Sequence, residues 1–79
     1  MEHVANTIEF TGKKPSKAQI LSRVKQLALR GSTFIEVFWG ENWLTLDKQF
    51  NDSWYGHSFI KNISGESIAN ELNTLRKAK

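Results

Sequence analysis

Phe34-Ile35-Glu36-Val37-Phe38-Trp39-Gly40-Glu41-Asn42-Trp43-Leu44-Thr45-Leu46 decides the fold. Its first six residues are β-branched or aromatic apart from Glu36, which is the composition of a strand. Gly40-Glu41 fits a two-residue hairpin turn with Gly in the first central position. That register opposes Trp39 with Asn42, Phe38 with Trp43, Val37 with Leu44, Glu36 with Thr45 and Ile35 with Leu46. Side chains alternate across a strand, so Ile35, Val37, Leu44 and Leu46 share one face. Glu36, Phe38, Trp43 and Thr45 share the other. The aliphatic set is the expected core face. Asn51-Asp52-Ser53 is a turn cluster, and Trp54–Lys61 is expected as the third strand of an antiparallel meander, with Trp54 or Tyr55 near the aromatic pair.

Helical patterns flank the meander on both sides. Ser16-Lys17-Ala18-Gln19 has capping-box form, and Ile20, Leu21, Val24, Leu27 and Ala28 follow within an arc of about 120° at helical pitch. Arg30 suits the negative end of the helix dipole and Gly31 supplies the stop, which predicts a helix over Lys17–Arg30. Ser64 is the expected cap of a second helix, with Ile63 and Ile68 at the positions of a hydrophobic staple and Glu66 in the first turn. Ile68, Ala69, Leu72 and Leu75 make its apolar stripe. Thr7–Phe10 alternates weakly and reads as a short edge strand before the break at Thr11–Pro15. The expected fold is α+β: a (β)-α-β-β-β-α domain, with an antiparallel meander and two helices packed on one of its faces. Residues 1–79 form one domain, with a mobile start over 1–6 and a frayed end over 76–79.

A chain of 79 residues is near the size at which a core becomes marginal. With no cysteine, neither a disulfide nor a thiolate metal site can assist. Three Trp, five Phe and one Tyr must supply the burial, and a homodimer sharing apolar surface would relieve the shortage. Glu2 and Glu9 stand where a secretory leader would be positive or apolar, and no apolar run approaches the roughly 18 residues needed to span a bilayer. A cytoplasmic protein without membrane contact is expected.

Catalytic chemistry has little to draw on. His57 is the single histidine inside the predicted elements, and its neighbours Ser53 and Ser58 do not make a triad motif. Carboxylates occur singly, the glycines form no phosphate-cradling loop, and metal-ligand spacing is missing. No enzyme, cofactor or metal is expected.

Charge is more informative. Thr11–Arg30 carries six bases and no acid: Lys13, Lys14, Lys17, Arg23, Lys25 and Arg30. Gly31–Ile60, in contrast, sets Lys48 against Glu36, Glu41, Asp47 and Asp52. The net +3 therefore conceals one strongly basic segment. Gln19, Arg23, Gln26 and Arg30 stack along one flank of the first helix. Two guanidinium forks alternating with two amides suit phosphates or groove edges. Lys13, Lys14 and Lys17 add attraction near the helix N-terminus. The plainer reading is the solvated face of an amphipathic helix, which the complete lack of acids makes harder to hold.

The second candidate is the outer sheet face, where Glu36, Phe38, Trp43 and Thr45 would meet a protein partner or a second copy. Exposed aromatics suit an interface, and the acids around them repel a phosphate backbone. Cross-strand aromatic pairs also stabilise small sheets without any partner, by about 0.2–1 kcal/mol.

The helix–three strands–helix order resembles double-stranded RNA-binding domains in topology alone. In that family the second helix opens with a lysine-rich phosphate-binding stretch, whereas Ser64–Glu71 holds two acids and no base, so the likeness carries no assignment. A three-stranded sheet reading the DNA major groove is likewise opposed by the acidic meander. The leading expectation is a small regulatory domain that binds DNA or RNA through its first helix. Its rival is a protein-interaction module, an inhibitor, adaptor or dimerising regulator, that uses the sheet face.

Overall fold

The computed structural model describes residues 3–49 and 51–77. The expected mobile start at Met1 and Glu2 and frayed end at Ala78 and Lys79 lie outside the described residues, as does Phe50. Six elements follow one another: β1 (Ala5–Phe10), α1 (Lys17–Leu29), β2 (Phe34–Trp39), β3 (Asn42–Lys48), β4 (Trp54–Ser58) and α2 (Gly65–Lys77). The strands form one sheet in the order β1-β2-β3-β4, with β2, β3 and β4 antiparallel.

The antiparallel meander and the two helices on one of its faces are as expected, and the structure adds three details. The sheet is mixed, because β1 joins it parallel to β2, Ala5 opposite Phe34 through to Phe10 opposite Trp39. A helix crossing between two strands returns the chain to its starting end, so β1-α1-β2 is a crossover unit and not part of the meander. The strand also begins at Ala5, two residues before the alternation becomes visible in the sequence. At the other end of the sheet, β4 stops at Ser58 and not at Lys61. There the Ser58 hydroxyl accepts from the Ile60 amide at 3.1 Å, and the chain turns so that Ile60 is buried.

The β2–β3 register matches the sequence reading at all five pairs, and Gly40 has the positive φ of +60° that its turn position requires. Helix α1 is set by local chemistry at both ends. The Gln19 amide donates to Ser16 Oγ at 3.1 Å while the Ser16 amide donates to Gln19 Oε1 at 2.8 Å, the reciprocal pair of a capping box. Arg30 is the C-cap; the Gly31 amide then donates to the Ala28 carbonyl and the Ser32 amide to the Leu27 carbonyl, with Gly31 left-handed. This is a Schellman stop. Buried Ser32 donates on to Asn6 Oδ1 and ties the helix end to β1.

Both helices cover the same side of the sheet. Ile20 and Val24 of α1, and Ile68, Ala69 and Leu72 of α2, are buried with Ile35, Val37, Leu44 and Leu46 beneath them. Lys17 Nζ donates to Ser67 Oγ near the two N-termini, and Ala28 and Leu72 line one depression further along, so the helices run in the same direction. The contact of α2 with β4 is backbone on backbone. A Cβ added at Gly56 would collide with the Gly65 carbonyl, and one at Gly65 would lie 2.7 Å from the His57 amide nitrogen. Beside it, Asn73 clamps the edge strand, accepting from the Trp54 amide at 2.7 Å and donating to the Trp54 carbonyl at 3.2 Å. That side-chain amide takes the place of a neighbouring strand.

Candidate functional site

The basic flank of α1 is built as the helical pitch dictates. Its buried stripe faces the sheet, and Gln19, Arg23, Gln26 and Arg30 are exposed on the far side. Arg23 and Arg30 stand seven residues apart, about 10 Å along the axis, roughly three base-pair steps of a duplex. The Arg23 guanidinium lies 5.8 Å from the centroid of the Phe10 ring, a cation–π contact that holds it over the β1 side of the helix. Gln19 has a narrower role than its side chain allows, because its carbonyl oxygen is committed to the capping box. Its amide nitrogen remains to donate, and Gln26 keeps both functions.

Lys13 and Lys14 sit exposed in the loop after β1, which is pinned where Trp39 Nε1 donates to the Gly12 carbonyl at 2.9 Å. Lys17 is set apart from them by its 2.6 Å bond to Ser67, at the seam between the helices. Among the described residues one salt bridge is present, Lys48 with Asp52 at 3.8 Å. None of the six bases of Thr11–Arg30 is therefore neutralised by a described carboxylate.

Among the described residues no helix lies over the opposite face of the sheet. Glu36, Phe38, Trp43 and Thr45 lie together there, with Phe38 directly opposite Trp43 and Glu36 opposite Thr45. The same alternation adds Phe34 and Asp47, and the β4 register adds Tyr55 and His57. Trp54 belongs to the inner side, where it is buried. Phe59 is also outside; it packs on Trp43 with ring centroids 4.4 Å apart at 44°. Trp43, Tyr55 and Phe59 are 37%, 50% and 62% exposed. Phe34, Asp47 and Tyr55 were recoverable from parity once the register was known. Phe59 lies beyond the end of β4, where no periodicity signals its direction.

Between β4 and α2 runs a groove of about 500 Å³, lined in part by Ser53, His57, Glu66 and Asn70. Among the described residues no hydrogen bond joins His57 to Ser53, Ser58 or Glu66. Nor does any group of three or more His, Asp or Glu side chains among the described residues come close enough to hold a metal ion. Within the same residues no helix is long and apolar enough to cross a membrane. Comparison with protein-family models, with curated proteins and with solved structures gave no match.

Proposed function

We propose that this domain is a non-catalytic cytoplasmic regulator that binds nucleic acid through the exposed flank of α1 and the Lys13-Lys14 loop. One observation carries the reading: six bases within twenty residues, with no acid among them and no ion pair to any described carboxylate. Unpaired surface cations keep their full attraction for phosphate, and each phosphate neutralised releases counterions. Arg23 and Arg30 contact phosphates, Gln26 adjusts register, Gln19 adds a donor, and Lys13 and Lys14 extend the basic field. Lys17 contributes charge from the helix seam. The acidic face across the sheet gives the bound molecule an orientation, because it turns away from the phosphates.

The test is a fluorescence anisotropy titration of labelled duplex DNA, single-stranded DNA and duplex RNA at two salt concentrations. Binding at micromolar concentration or tighter to one form, falling steeply with salt, is the expected result. Replacing Arg23 and Arg30 together by Ala should flatten the salt dependence by about two units for a duplex and leave the circular dichroism spectrum unchanged. Removing the Arg23 guanidinium from the Phe10 ring costs the fold only about 0.5–1 kcal/mol. Absence of binding to every form at low salt, or an unaltered affinity in the double variant, would overturn the reading.

A further inference from the structure

We propose that the uncovered sheet face binds an arginine-bearing segment of another protein. The eleven outward positions of the four strands include three carboxylates, Glu9, Glu36 and Asp47, and neither Lys nor Arg. Aromatic rings alternate with these acids. Phe38 and Trp43 form one cross-strand row with Phe59 packed at its end, and Tyr55 lies opposite Asp47 in another. Glu36 stands between the rows on the central strand β2. Outward residues along a strand are about 7 Å apart and neighbouring strands about 4.8 Å. A guanidinium stacked on Phe38 or Trp43 therefore reaches the Glu36 carboxylate, and one stacked on Tyr55 reaches Asp47. Ring faces attract cations and carboxylates accept charge-assisted hydrogen bonds; the planar guanidinium uses both at once, better than an ammonium does.

Charge also removes the competing occupants. A phosphate backbone is repelled by the three carboxylates. A second copy docked face to face would set three acids against three. The basic segment of a second copy could dock here only by self-association, which the light-scattering arm below detects. The occupant that suits both the rings and the acids is a foreign segment rich in Arg.

A fluorescein-labelled nona-arginine peptide serves as the probe, titrated against the intact chain by anisotropy with nona-glutamate as the control. Saturable binding of nona-arginine alone is expected. Trp43→Ala and the isosteric Glu36→Gln should each weaken it by about tenfold, whereas Glu71→Gln on the exposed side of α2 should change it by less than about twofold. Arg23→Ala/Arg30→Ala should leave it intact, which separates this surface from the nucleic-acid site. An equal loss in Glu36→Gln and Glu71→Gln would reduce the effect to general acidity and overturn the proposal. So would light scattering that shows the chain self-associating in a manner abolished by Trp43→Ala. Glu36→Gln keeps the side chain's shape, so its result stands even if Trp43→Ala fails to fold.

Discussion

Trp43 and Leu44 are neighbours in the chain and occupy opposite sides of one sheet. Leu44 is fully buried under two helices, in an aliphatic layer; Trp43 is 37% exposed in an aromatic, acidic layer that no helix covers. A domain of this size has little apolar surface to commit, so the contrast shows where it is committed. Aliphatic side chains and Trp54 supply the buried core, while among the described residues Phe34, Phe38, Trp43, Tyr55 and Phe59 lie on the outer side. The lesson is that packing is concentrated on one side of the four strands, while the other side leaves its rings accessible.

The division has measurable consequences. Leu44→Ala should lower unfolding free energy by about 2–5 kcal/mol, against about 1–2 kcal/mol for Trp43→Ala, which removes one cross-strand pair and the packing on Phe59. Urea titration of the two variants reads the difference directly. Equal costs would break the comparison, because the outer face would then be part of what holds the fold. Next in size is Gly56→Ala, whose new methyl meets the Gly65 carbonyl. It should cost about 1–3 kcal/mol, while outward-facing His57→Ala one residue later costs less than about 0.5 kcal/mol. Smallest is Asn73→Ala. It releases the Trp54 amide and carbonyl at a half-buried edge, for about 1 kcal/mol, and should raise hydrogen exchange at Trp54 above that of the rest of β4.

What the sequence disclosed follows the range of the forces involved. Helix α1 and the β2–β3 register were legible because Ser16, Gln19, Gly31 and Gly40 fix them through contacts within a few residues. The core face of that hairpin came with the register. The direction of β1 was not legible, since it depends on the whole α1 crossover and no residue of Ala5–Phe10 encodes it. The inward turn of Trp54 was hidden for a related reason: a slip of one residue moves every side chain to the other face, and the β3–β4 connection left that phase open. Of the basic flank, the exposure of Arg23 and Arg30 was predictable from pitch. The diversion of Lys17 to Ser67, fifty residues away, was not.

The parallel attachment of β1 also orders the assembly of the molecule. Each β1–β2 pair spans 29 residues, whereas the β2–β3 hairpin pairs span from 3 to 13. Loop closure costs more entropy at the longer separation, so the hairpin zips first and β1 is the last strand to join, after α1 has formed its crossover. The last strand to arrive is then the first to peel away. Its departure would unfasten the Lys13-Lys14 loop while the meander and its ring-bearing outer face stayed assembled. In native-state hydrogen exchange this gives two tiers of protection, with the amides of β1 opening well before those of β2 and β3.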